Sequence, residues 1–401
     1  MFDHTFYVPI LRRRSAELAA LTNTLAEDLK QIRPLFEMCE QILPDERRSA
    51  LASVENSAYF WGVIRSIAAA YGRNPYFIDF GSVEGLFSNQ NGQHPLETYF
   101  DLLDFHMLPG VPVTGMNRPE SYQTAIEKIT SQYGVGICLR VGEQEIRNPS
   151  FVPLLQLVLR RFRLAPANVD LLVDLKQKTD ITPSLEEICG RIPMLGDWRT
   201  FTVACGAFPQ FLSQLEKNAE HELPRHDWKH WKDAVSSARK LPRIPTYSDY
   251  TIQFPKTPAP LDFLPNVSAS IRYASPEHWV VMRGEGLRNE NGAKFEQYWG
   301  QANSLMFRDE YSGADFSYGD QYVATIGLQT TKTGSPATWL KAGINRHLTL
   351  TVRQIGLLLA SESARTESFG RLSRPPLQTI WNRSRLVLPD SYAQGYLFPP
   401  E

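Results

Sequence analysis

Two rhythms of apolar and polar residues alternate along this chain. Short apolar runs with period two read as strands, and between them apolar residues recur at three- and four-residue spacing, which reads as helix. The first run, Phe6–Leu11, ends in Arg12, Arg13 and Arg14 and passes into a helical pattern reaching Lys30, with Leu18, Leu21 and Leu25 on one face. Further strands are predicted at Ile32–Met38, Tyr76–Phe80, Val111–Gly115, Val135–Val141, Val169–Leu175, Thr200–Gly206 and Asp249–Phe254. Helices are predicted at Pro44–Tyr71, Pro95–Leu103, Pro119–Tyr133, Phe151–Arg163, Thr182–Cys189, Gln210–Ala219 and His226–Arg239. Pro44 suits a first helical turn, where a missing N–H costs nothing, and Gly134 suits the left-handed position that closes a helix. Eight strands alternating with helices over about 250 residues is the rhythm of a (β/α)8 TIM-like barrel. An open doubly wound sheet is the rival, but no GxGxxG or GxxxxGK[ST] follows the first strand.

Alternation within the strands separates a face packed on helices from a face pointing into the barrel. The inward sets are Val8, Ile10 and Arg12; Leu35 and Glu37; Asp79; Cys138 and Arg140; Leu172 and Asp174; and, on the eighth strand, Thr251 and Gln253. The C-terminal rim, where barrel enzymes build their active sites, therefore collects Arg12, Glu37, Asp79, Arg140, Asp174 and Gln253. Ala204 and Gly206 leave room beside them. This is either a pocket for an anionic or phosphate-bearing ligand or a self-satisfied ion network, with Arg12 against Glu37 and Arg140 against Asp174, since buried charges must be paired in either case.

Beyond the barrel region, 1–255, a proline-rich linker spans 256–266. A smaller α+β region follows over 267–370, with an extended tail over 371–401. Two antiparallel strands are expected at Ser268–Tyr273 and His278–Arg283, and a helix at Ala293–Leu305. A polar loop covers 310–320, and a helix at Thr338–Ala342 leads into the run Ile344–Thr351, with Val352–Glu362 helical. Aromatic residues are frequent here. They form either a satellite core or a partner surface, with Trp279, Phe316, Tyr318, Trp339 and His347 as its members.

Composition narrows the chemistry. The net charge of −1 gives no global reason to expect nucleic acid or an anionic membrane. No apolar run approaches the ~18 residues of a membrane span, and the N-terminal charges follow the apolar residues, unlike a secretory signal. The four cysteines lack CxxC spacing, which fits reduced core thiols in a cytoplasm. His226 and His230 stand four apart, but Asp227 replaces the glutamate of HExxH, and a helix with Trp228 and Trp231 packed inward is the stronger reading. No GxSxG elbow occurs. No metal or cofactor is assigned; Mg²⁺ enters only if the rim carboxylates act on a phosphate ligand.

The motifs YVPILRRRSAEL, IRPLFEM, DLLVDL, SDYTI, SIRYASPEHWVVMRG, FSYGDQY and TWLKAGINRHLT occur in that order from about residue 6 to residue 355. In this the chain resembles the beta protein family of prophages and phage satellites, whose type member is encoded beside a host-killing gene. Where relatives carry a His-His pair near the last motif, this chain has Asn345-Arg346-His347. The resemblance implies a cytoplasmic accessory or immunity protein of a phage-defence or toxin–antitoxin module, more a binder than an enzyme. Its expected partner is a protein encoded nearby, with self-association left open. The alternative is a barrel enzyme or nucleotide sensor acting on a phosphate-bearing ligand at the rim.

Overall fold

The computed structural model describes residues 2–38, 56–87, 89–90, 92–180, 182–237, 241–255, 266–290 and 292–368. The start of the helix expected from Pro44, the linker between 256 and 265 and the tail beyond 368 lie outside them. Eight parallel strands close a barrel: β1 (Tyr7–Arg12), β2 (Leu35–Glu37), β3 (Tyr76–Asp79), β4 (Gly110–Thr114), β5 (Ile137–Gly142), β6 (Val169–Gln177), β7 (Thr200–Gly206) and β9 (Thr246–Asp249). Closure runs through β1 and β9, with Val8 opposite Ser248. The fold is thus the (β/α)8 barrel that the alternation predicts. Its interior is filled by Val8, Ile10, Leu35, Phe77, Val113, Cys138, Leu172, Ala204 and Tyr250, so the barrel is a packed core and not a pore.

The eighth strand lies earlier than Asp249–Phe254. Asp249 ends it: its side chain accepts from the backbone N–H of Thr251 at 2.8 Å, and Thr251 turns left-handed with φ 57°. The inward side chains are consequently Ser248 and Tyr250, one residue out of step with Thr251 and Gln253. Gly206 does not leave room either, because a Cβ there would meet the Pro255 ring at 2.7 Å and Tyr250 at 3.1 Å.

Most helices form where the periodicity puts them: α3 (Asn56–Tyr71), α4 (Pro95–Phe105), α5 (Glu120–Tyr133), α7 (Phe151–Phe162), α8 (Leu185–Arg191) and α9 (His226–Ser236), with a short α6 (Glu143–Arg147) besides. The first predicted helix is broken into α1 (Ser15–Thr22) and α2 (Ala26–Leu29). Asn23 and Thr24 bond back to the carbonyls of Ala19 and Ala20, an alternative to continuing the helix. No helix forms at Gln210–Ala219; the chain runs irregularly to a strand, β8 (Ala219–Pro224). That strand pairs antiparallel with β11 (His278–Gly286), which pairs in turn with β10 (Ser268–Ala274).

On this three-stranded sheet pack α10 (Gln297–Met306), α11 (Tyr318–Gly327) and α12 (Pro336–Ser368). A second apolar cluster lies between them, including Ile271, Tyr273, Val280, Tyr298, Leu305 and Trp339. The helix α11 begins inside the stretch expected to be loop, with Ser317 as its cap accepting from the Asp320 N–H at 3.1 Å. The run Ile344–Thr351 is the middle of α12, with Ile344 and Leu348 one turn apart on the face turned to the barrel core. None of the described helices is long and apolar enough to cross a membrane.

Candidate functional site

At the C-terminal mouth of the barrel, the hub is Arg140 on β5. Its guanidinium reaches Asp79 of β3 at 2.8 Å, Glu37 of β2 at 2.8 Å and Asp174 of β6 at 2.7 Å. Two further cations complete the set: Arg118, beyond β4, at 2.8 Å from Asp79, and Lys176 at 2.7 Å from Asp174. Tyr250 donates to Asp174 at 2.7 Å and accepts from Arg140 at 2.9 Å. Burial pushes the Asp79 and Asp174 carboxyls upward, but the surrounding cations outweigh it and hold both below the usual range. Burial likewise opposes the charge on Arg140, and its ring of acceptors holds the pKa above the ordinary value.

The expected pairing of Arg140 with Asp174 is present. Arg12 and Glu37 are strand neighbours in register, yet their side chains part company. Arg12 turns to the Gln253 amide oxygen at 3.4 Å and to the Phe254 carbonyl. Gln253 in turn donates to Glu17 at 2.6 Å, and Glu17 also accepts from the backbone N–H groups of Arg12 at 3.0 Å and Arg14 at 3.1 Å. So Glu37, Asp79, Arg140 and Asp174 share one network, while Arg12 and Gln253 belong to an adjoining one. Arg118, Lys176, Tyr250 and Glu17 were not legible as members. Arg118 stands in a loop, Lys176 has a left-handed φ of 56°, and Tyr250 follows from strand parity only once β9 is correctly placed.

Beside the mouth, between it and the three-stranded sheet, opens a cleft of about 620 Å³. Arg12, Arg14, Arg272 and Arg283 line it, and among the described residues no carboxylate does. Arg272 donates to the Ile252 carbonyl at 3.0 Å and lies 4.9 Å from the Phe208 ring centre. Burial pulls its pKa down to about 10, so it stays charged near neutrality. Arg283 donates to the Ser213 carbonyl at 3.3 Å. The irregular stretch from Pro209 to Ser213, where a helix was expected, forms one wall.

A family model described as Beta protein matches residues 7–353, from the first barrel strand into α12. The chain belongs to the Beta protein family. No curated protein matches it.

The matched span ends on the helix that ties the two regions of this Beta protein together. Asp249, fully buried at the end of β9, takes hydrogen bonds from Tyr7, from Tyr247 at 2.9 Å and from His347 of α12 at 2.7 Å. Burial raises the Asp249 carboxyl, but His347 and these donors outweigh it and hold it low. Burial, reinforced by the Asp249 charge, pushes nearby Asp227 up to about 7. Arg225, also fully buried, donates to the Ser275 carbonyl at 3.0 Å and to Gln354 at 2.8 Å.

This burial corrects the partner surface read from the sequence. Trp279, Trp339 and His347 are all within the core, at 0%, 2% and 0% exposure. Trp339 stacks on Tyr298 with ring centres 5.1 Å apart, and His347 serves Asp249. Phe316 and Tyr318 are half-buried beneath Arg346 and Lys341, whose charged ends lie 4.1 Å and 4.2 Å from the ring centres. His226 and His230 form no ligand group with the described residues. Among the described residues, only Glu222, His278 and Glu310 converge as metal ligands would. Arg308 already binds the two glutamates, with Glu310 at 3.0 Å.

Proposed function

We propose that this Beta protein is a binder: an accessory or immunity protein of a mobile-element or phage-defence module, which restrains a partner toxin or senses infection in the cytoplasm. The observation that carries this reading is the neutral balance of the barrel mouth. Arg140, Arg118 and Lys176 stand against Glu37, Asp79 and Asp174, each within 2.8 Å of an opposite charge. General acid–base chemistry needs a group whose pKa lies near the working pH. Asp79 and Asp174 are instead held as ionised carboxylates, and Arg140 is committed to both of them and to Glu37. Such a network suits holding the barrel end rigid.

The test is co-expression with whichever flanking gene product kills the host when expressed alone. Co-elution of the two proteins and suppression of toxicity are expected; failure of both sinks the reading. A stable Glu37→Ala/Asp174→Ala variant separates the alternative, a barrel enzyme acting on a phosphate-bearing ligand with Mg²⁺ on these carboxylates. Defence activity retained alongside a lowered melting temperature supports the structural network, and lost activity in a fully folded variant supports the enzyme.

A further inference from the structure

We infer that the arginine-lined cleft beside the barrel mouth is a nucleotide site, with the phosphates held by Arg272 and Arg283 and the base against the aromatic wall formed with Phe211. The contrast with the mouth is the first ground. There, every cation has a carboxylate within 2.8 Å. In the cleft, among the described residues, Arg272 and Arg283 have none, and their protein partners are neutral carbonyls.

Burial makes that difference costly. Arg283 is only 7% exposed, and among the described residues its enclosed Nε has no partner. A desolvated guanidinium with unused N–H groups is unfavourable unless an acceptor arrives. Its planar fork matches a phosphate in bidentate fashion, and a charge-assisted pair of this kind is among the strong hydrogen bonds. Arg272 adds a second cation whose charge burial opposes, so an anion in the cleft would relieve both. The two arginines lie on adjacent strands of one sheet, β10 and β11, which holds their backbones in a fixed relation.

Shape and apolar lining select the kind of anion. A volume of about 620 Å³ falls within the ordinary range of small-molecule sites. Phe211 lies 60% exposed on the wall, a large aromatic with no ring contact among the described residues. Tyr298 and Trp339, stacked on each other, make the floor. Gln210, Asn266 and Ser270 add neutral hydrogen-bonding groups of the kind that read base edges and sugar hydroxyls. Exposed aromatics with arginines beside them are how bases and backbone phosphates are held together elsewhere.

The experiment uses the purified full chain and a fluorescent ATP analogue in anisotropy titrations, with unlabelled ATP, pyrophosphate, a polyglutamate peptide and a single-stranded oligonucleotide as competitors. Saturable binding displaced by ATP better than by pyrophosphate is expected. Arg283→Gln and Arg272→Gln should each weaken it by roughly tenfold or more, as loss of a charge-assisted hydrogen bond does. Arg283→Lys keeps the charge without the fork and should recover only part. Phe211→Ala, at an exposed position that leaves folding untouched, should weaken ATP several-fold while leaving pyrophosphate unchanged. No saturable binding of the analogue overturns the assignment. So does displacement only by the peptide or only by the oligonucleotide, or unaltered affinity in both Arg283→Gln and Phe211→Ala. Failure of the wild-type protein to bind or suppress the toxin, with nucleotide binding intact, would count against the partner-restraint reading and leave this one standing.

Discussion

Replacing Arg140 with methionine removes the cation on which three carboxylates converge. Two of them keep a partner: Asp79 retains Arg118 at 2.8 Å, and Asp174 retains Lys176 at 2.7 Å. Glu37, by contrast, has no second cation among the described residues. The variant therefore leaves one buried carboxylate uncompensated and two weakened. Breaking a buried pair by deleting one partner costs roughly 3–5 kcal/mol, and about 4 kcal/mol is expected here at neutral pH. Methionine fills most of the volume, so little of this is cavity. Urea unfolding followed by tryptophan fluorescence measures it as a lower midpoint.

The pH dependence gives an independent check. Asp79 and Asp174 have folded pKa values below their unfolded ones, so the wild type carries this stability above about pH 4 and loses it as pH falls toward the folded values. In Arg140→Met the carboxyls take up protons more readily, so acidification costs the variant less and the two curves converge. Adding Glu37→Gln to Arg140→Met should restore part of the loss at pH 7. A loss below about 1 kcal/mol, or a gap that does not narrow on acidification, would refute the claim that the mouth is a network of mutually dependent charges.

Three further outcomes are expected. In Asp227→Asn the pH response should run the other way. The folded pKa is raised to about 7 from 3.8, so the wild-type carboxyl favours the fold below about pH 4 and its contribution is lost as pH rises through 7. Urea midpoints should show the variant gaining on wild type from pH 5 to pH 8, by at most about 3 kcal/mol, the equivalent of the roughly two pKa units between pH 5 and the folded value. Gly343→Ala should destabilise by about 1–3 kcal/mol, because the new methyl would lie 2.5 Å from the Arg272 carbonyl and 2.6 Å from Ile252. On the same helix a Cβ at Gly356 would meet none of the described residues within 4 Å, so Gly356→Ala should raise the thermal midpoint through a gain of about 0.5–1 kcal/mol.

The barrel was legible because its evidence is local. In Val169–Leu175, for instance, side chains of alternate character announce two faces, and the same parity correctly sends Arg140 and Asp174 to one end. Parity fails only where a strand is misplaced: moving the eighth strand back to Thr246–Asp249 exchanges Thr251 for Tyr250 as the inward residue. The α12 helix misled for a different reason. Its middle turns are buried against the barrel, the three-stranded sheet and the first helix at once, so Asn345, Arg346 and His347 carry polar groups into the core and the amphipathic signal vanishes.

The cleft could not be read from the chain at all, because its members come from positions 12 and 14, 209–213, 253–254, 266–283, 298 and 336–340. Only the pairing of β8 with β11 carries the irregular stretch ahead of β8 across to the sheet that holds Arg272 and Arg283. The same packing gives Gly343 its role, since α12 approaches the Arg272 carbonyl to within a methyl's reach and so fixes the strand from which that guanidinium projects. A substitution at Gly343 should therefore disturb the cleft as well as the fold, whereas one at Gly356 should disturb neither. Measuring nucleotide affinity in both variants would show whether the position of β10, set by the helix beneath it, is what holds the arginines ready for an anion.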